Sequence, residues 1–326
     1  MQPASLAPKP ADFRRPPFLT TAEGRTRTVA VEIEFAGLTA AAAARVLADA
    51  FGGELVEHDP HAFAIIGCEL GDISIELDSR YAHPENAEKL LGSVGAKLAS
   101  WFGTAASYIV PCELVSGPVP IDQLHRVDRA IGALRLAGAK GTQDAPVYAF
   151  GLHFNPEAPR LDPETILSVL KAFVLLNAWL RRQVAPDPTR GLLGFAEPFP
   201  DSYVRTILAP DYRPDLARFI DDYLAANPTR NRDLDILPLL AFLDGRRVRD
   251  ALPAEKIRPR PTFHYRLPDA RVSDPGWSIA PDWNRWVAVE RLAADRERLD
   301  RLAAAYLAFK GETKSWADLA ERIAFA

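Results

Sequence analysis

The chain has 326 residues, 48% hydrophobic and 25% charged, which is enough apolar material for a large core. A formal net charge of −4 and a pI near 5.9 exclude the broadly basic surface that neutralises phosphate backbones, so no nucleic-acid partner is expected. Two cysteines, Cys68 and Cys112, exclude a disulfide framework, and their spacing suits neither a zinc knuckle nor a redox pair; both read as small buried hydrophobes.

Residues 1–27 read as a flexible arm, rich in Pro and Ala at its start and lacking the continuous apolar stretch of a signal peptide. No apolar run approaches the roughly 20 residues needed to cross a bilayer. No membrane association and a cytoplasmic location are therefore expected. Thr28 to Phe35 (TVAVEIEF) alternates apolar and acidic residues, the pattern of a half-buried strand. Thr39 caps an alanine-rich helix ending at Phe51, where Gly52-Gly53 supplies the stop. Short strands follow at Glu54 to Glu57, Ala62 to Ile66 and Asp72 to Asp78, the last two as a hairpin.

Pro84 opens a helix to about Phe102, and Tyr108 to Val115 returns to strand character with Pro111 marking an edge or bulge. A helix from Ile121 to Leu136 leads through a Gly-rich turn to a strand at Val147 to Asn155, then a long helix from Pro163 to Gln183. A mainly helical insertion, about 184–258, precedes a last strand at Thr262 to Leu267 and two C-terminal helices within 271–326. Because the strands are short, consecutive and alternating in polarity, a doubly wound parallel sheet is disfavoured. The expected fold is α+β: a curved, mainly antiparallel sheet with helices on one face and a polar second face.

Side chains at i and i+2 on a strand share a face. Four polar pairs result: Glu32 with Glu34, Glu76 with Asp78, His153 with Asn155, and His264 with Arg266. Each pair alone is explained by a solvated sheet face. Together they put several carboxylates side by side, where they repel unless something positive joins them. Carboxylates with imidazole or amide oxygen suit Mg²⁺ or Mn²⁺.

The segments VAVEIEF (Val29 to Phe35), CELVSGPV (Cys112 to Val119), FGLHFN (Phe150 to Asn155), NPTRNRDLDILPL (Asn227 to Leu239) and FHYRLPD (Phe263 to Asp269) carry a family resemblance. In this order they resemble the bacterial amidoligases of the glutamine synthetase and glutamate–cysteine ligase superfamily. The resemblance implies a catalytic domain over 28–270 with a glutamine synthetase-type sheet, its ATP and metal site on the face away from the helices. The metal ligands it implies are Glu32, Glu34, Glu113, His153 and His264, with Glu76 or Asp78 as partner from the neighbouring strand. Catalysis falls to Glu113 and to Arg266, which is expected on the transferred phosphoryl group, where a planar guanidinium offers bidentate contact. His153, Asn155, Arg230, Arg232 and Arg266 are the implied cofactor-binding residues, with a helix-entry salt-bridge role as the alternative for Arg230 and Arg232.

Three positions depart from the family pattern: Asn155 for a second histidine, Gly117 for a proline and His264 for a glutamate. The activity implied is ATP-dependent joining of a carboxylate to an amine, through an acyl phosphate, on small-molecule or peptide substrates whose identity is not legible. The competing readings are a catalytically silent relative that binds nucleotide or peptide, supported by His264 and Asn155, and a metal-dependent hydrolase. The oligomeric state stays open, a homo-oligomer included. His58 and His61 read as an exposed turn, and Trp277, Trp283 and Trp286 as packing residues.

Overall fold

The computed structural model describes residues 13–77, 111–145, 148–188, 190 and 196–325. The helix expected from Pro84 to Phe102, and Asp78, lie outside these. Among the described residues the chain is a mixed α/β body with ten α-helices and one open, mainly antiparallel sheet of nine strands.

The sheet grows outward from β1 (Thr28–Phe35). Its odd-numbered residues Val29, Val31, Ile33 and Phe35 are fully buried, so the two-residue period seen in the sequence is the division between core and site. On one side β1 pairs with β5 (Cys112–Ser116), followed by β4 (Gly71–Leu77), β3 (Ala62–Cys68) and the edge strand β2 (Glu54–Asp59). On the other side come β7 (Leu152–Pro156), β9 (His264–Tyr265) and β8 (Leu234–Asp235), while β6 (Val119–Pro120) pairs with the start of β1.

Helix α1 (Ala40–Phe51) begins where the Thr39 side chain accepts from the Ala42 N–H, and it packs on β2, β3 and β4. Helix α2 (His125–Leu136) lies against α1. The pillar of the molecule is α3 (Pro163–Val184), capped by Asp162 with Pro163 in the first turn. By length and composition α3 is apolar enough to cross a membrane, yet most of its apolar stretch is buried inside the protein. Four short helices follow, α4 (Asp201–Leu208), α5 (Leu216–Ala226), α6 (Leu237–Leu243) and α7 (Gly245–Ala251). Then come α8 (Ala280–Ala294), α9 (Arg296–Ala308) and α10 (Thr313–Phe325).

The end of the chain therefore holds three helices, not two: Asp295 stops the helical run and caps the next helix through Arg298 N–H. All three pack on α3, with Trp316 donating to the Leu175 carbonyl. Trp283 and Trp286 are fully buried and Trp277 packs at the core margin, in keeping with a packing role. Regular pairing is also shorter than expected at the last strand, where only His264 and Tyr265 pair continuously, and β8 falls inside the stretch read as helical.

Residues 13–27 are not a loose arm. Arg14 bonds Asn284 and Trp283, and Thr20 pairs with Thr26. Arg27 is fully buried, donating to both Glu290 oxygens at 2.9 and 2.8 Å and to the Glu157 and Phe18 carbonyls. Burying a guanidinium is tolerated only when its donors are satisfied this fully. Cys68 and Cys112 are both free and buried; burial lifts the Cys112 thiol to about 11.

Candidate active site

The polar face of the sheet floors a cleft of about 1030 Å³. Its floor is built from same-face residues of five strands: Glu32 on β1, Glu76 on β4, Glu113 on β5, His153 and Asn155 on β7, and His264 on β9, with Arg266 just beyond. One wall is the segment from Ala254 to Thr262, and Arg230 lines the cleft beside it.

Glu32 is the hub. Its Oε2 lies 3.0 Å from His153 Nδ1 and 3.4 Å from His264 Nε2, and its Oε1 accepts from Asn155 Nδ2 at 2.9 Å, with Arg260 at 3.7 Å. Burial alone would raise the Glu32 pKa, but His264 and then the His153 hydrogen bond outweigh it and hold the carboxyl well below its usual range. The His153 imidazole is pushed down to about 3, because burial dominates over the pull of Glu32, so it is neutral and able to ligate a metal.

A second row of acids crosses the sheet. Glu34 stands directly opposite Glu113, and Glu113 directly opposite Glu76, on three adjacent antiparallel strands. Facing residues of this kind have Cβ atoms roughly 4.5–5.5 Å apart. Glu34 is buried and its Oε2 accepts the Gly151 N–H at 2.8 Å. Two sets of ligand atoms fall within 4.8 Å of one another: Glu32, His153 and His264, and Glu34, Glu113 and His153. Both ring nitrogens of His264 are buried without a hydrogen-bond partner, and so is Asp235 Oδ2, 3.6 Å from His264 Nδ1. Carboxylate oxygens with one or two imidazoles are a donor set for a hard or borderline divalent cation, and orphaned ring nitrogens suit it.

A family model described as "Putative amidoligase enzyme" matches residues 25–288. The chain belongs to this amidoligase family. No curated protein and no solved structure matches it. The amidoligase match begins just before β1 and ends within α8, and so contains every residue of the cleft floor.

Of the residues expected in an amidoligase site, Glu32, Glu34, Glu113, His153, Asn155 and His264 converge, and Glu76 joins through Glu113. Arg266 lines the cleft, its Nη1 donating to the Arg230 carbonyl at 2.7 Å. Arg230 also lines it, with Nη1 on the Lys256 carbonyl and Nε 3.9 Å from Asp235. Arg232 does not belong. It turns away to bond Asn227 Oδ1 and the Pro198 carbonyl, and its guanidinium lies over the Phe199 ring, a structural role that i,i+2 spacing from Arg230 does not reveal.

Four contributors were not foreseen. Arg260 donates to Asn155 Oδ1 at 2.7 Å and so orients the amide that binds Glu32. Asp235 pairs with His264 across β8 and β9, while its Oδ1 accepts the Leu237 N–H. Arg190 is buried and grips the carbonyls of Arg266, Leu267 and Pro268 together with Asp269, fixing the chain that carries Arg266. Gly151 leaves room for His153, since a Cβ there would lie 2.4 Å from its Nε2. The basic spacing of KIRPRP (Lys256 to Pro261) was the available signal for Arg260; nothing local marks Arg190.

Two amidoligase departures gain physical reasons. Gly117 donates its N–H to the Asp72 carbonyl at 2.6 Å, a bond proline cannot make, and a Cβ there would lie 2.7 Å from that oxygen. Asn155 uses both ends of its amide, one toward Glu32 and one toward Arg260, which an imidazole replacing it would not match in the same geometry.

Proposed function

We propose that the chain is an ATP- and Mg²⁺-dependent carboxylate–amine ligase working on a glutamine synthetase-type sheet in the cytoplasm. The observation that carries this reading is the lateral row Glu34, Glu113, Glu76 beside the Glu32, His153, His264 cluster. Like charges in direct register destabilise a sheet, so their retention argues for a ligand that needs them.

A carboxylate is a poor acyl donor because its leaving group would be oxide. In the proposed reaction a substrate carboxylate oxygen attacks the γ-phosphorus of ATP, the bond to ADP breaks, and an acyl phosphate forms. The amine nitrogen then attacks the acyl carbon, phosphate leaves, and the nitrogen sheds a proton. Glu32, Glu34, Glu113, His153 and His264 are the residues that would hold Mg²⁺ or Mn²⁺, with Glu76 beside them. When bound, the metal supplies positive charge that offsets charge on the phosphoryl oxygens. Arg266 is assigned to the transferred phosphoryl group, and Arg190 holds the backbone that presents it. Such phosphoryl transfer asks little of a protein beyond positioning and charge.

The test is incubation with ATP, Mg²⁺ and pools of carboxylates and amines, following ADP release and product mass. Product mass equal to acid plus amine minus water, with ADP formed in equal amount, supports the ligase. Cleavage of an added amide-linked peptide to acid and amine with Mg²⁺ and no ATP use would favour a metal hydrolase. Tight ATP binding with no turnover for any pair would favour the silent binding relative.

A further inference from the structure

The wall of the cleft carries a second pattern, separate from the acidic floor. Lys256, Arg258 and Arg260 alternate along five residues, and all three line the cleft. Pro259 and Pro261 each follow an arginine, which biases Arg258 and Arg260 to extended backbone. Extended chain advances about 3.3 Å per residue, so the backbones of Arg258 and Arg260 stand roughly 6.6 Å apart, while Lys256 sits at the turn closed by the Ile257 N–H on the Glu255 carbonyl.

The segment is anchored, not loose. Ile257 packs on the core, the Lys256 carbonyl accepts from Arg230, the Arg260 N–H donates to the Pro238 carbonyl, and the Pro261 carbonyl accepts from Ala158. The comb also has a direction. Arg260 sits at its inner end, touching Asn155 and lying 3.7 Å from Glu32, whereas Lys256 and Arg258 are exposed at the rim. Among the described residues neither rim side chain makes a hydrogen bond or ion pair, and Glu255 is the acid beside them.

We infer that the acyl substrate is an acidic peptide, held in extended form along Lys256, Arg258 and Arg260 with its reacting carboxylate at the Arg260 end. This rests on the ligase reading above. Carboxylates at every second residue of an extended peptide repeat at the spacing of Arg258 and Arg260, whereas the triphosphate of ATP is compact and would engage one end only.

The experiment titrates fluorescein-labelled hexaglutamate into the full chain, with hexaglutamine, ADP with Mg²⁺ and a single-stranded oligonucleotide as parallel arms. Wild type is expected to bind hexaglutamate, hexaglutamine not at all, and higher salt to weaken binding. Replacing both exposed cations (Lys256→Ala with Arg258→Ala) should weaken hexaglutamate by about 5- to 30-fold and leave ADP affinity and the melting temperature unchanged. Equal binding of hexaglutamine, tighter binding of the oligonucleotide, or an equal loss of ADP affinity in the double variant would each overturn the assignment. If comb-dependent peptide binding stands but no amine ever drives ATP turnover, the ligase reading fails while peptide binding survives.

Discussion

Gly151→Ala offers a steric test of the site that changes no charge and no ligand. Gly151 has no left-handed backbone requirement, so the effect comes from space alone. An added Cβ would lie 2.4 Å from His153 Nε2 and 3.0 Å from Arg190, against an ordinary contact of at least 3.4 Å, so the ring must yield by about 1 Å. It cannot retreat freely, because Glu32 holds Nδ1 at 3.0 Å and the His264 ring stands edge-on 5.1 Å away, centroid to centroid. Turning the imidazole takes it out of hydrogen-bond geometry with a carboxylate, a loss of roughly 1.5–3 kcal/mol. Since His153 belongs to both candidate ligand sets, Mn²⁺ affinity should fall about 10- to 100-fold. Calorimetric titration of Mn²⁺ into wild type and variant measures this directly. Equal affinity, with an unchanged melting temperature, would refute the claim that His153 is wedged between Gly151 and Glu32.

Three further outcomes follow from the same geometry. Arg27→Met strands Glu290 in the core with Trp286 as its remaining donor, and should cost about 3–5 kcal/mol in urea unfolding; a cost under about 1 kcal/mol would show that the buried pair is dispensable. Gly117→Pro removes the donor to Asp72 and crowds its carbonyl, so a loss of roughly 2–4 kcal/mol is expected, with a melting temperature equal to wild type as the contrary result. Asp282 is raised to about 6 by burial, against the pull of Arg285. Its folded pKa lies above the unfolded value near 3.8, so the ionised group costs stability above about pH 6, and that cost is relieved as pH falls from 6 toward 3.8. Asp282→Asn should therefore flatten this limb, by up to about 3 kcal/mol between pH 7.5 and 4, and parallel pH profiles of variant and wild type would contradict it.

What the sequence made legible was what depends on local period. The alternation in TVAVEIEF divided β1 into a buried face and a face bearing Glu32 and Glu34, and LHFN did the same for His153 and Asn155. Register was beyond reach, because the alignment of Glu34, Glu113 and Glu76 depends on how strands from distant segments pair. β8, a strand of two residues, is too short to show a period, so the place of Asp235 beside His264 is hidden in the sequence. Arg232 failed for another reason. Only the resemblance of its segment implies a cofactor contact, and its acceptors, Asn227 and Pro198, come together with it only in the fold. Arg27 was assigned to a loose arm because a buried ion pair with Glu290, 263 residues away, leaves no mark on neighbouring sequence.

The central claim is that the acid-rich face activates a carboxylate at the expense of ATP. Its most direct test uses a carboxylate substrate labelled with ¹⁸O in both oxygens, ATP, Mg²⁺ and the amine, followed by mass analysis of the released phosphate. An acyl phosphate route predicts one ¹⁸O in each phosphate formed, and Glu34→Gln should abolish that transfer while the protein stays folded. Amide formation with unlabelled phosphate would contradict the account.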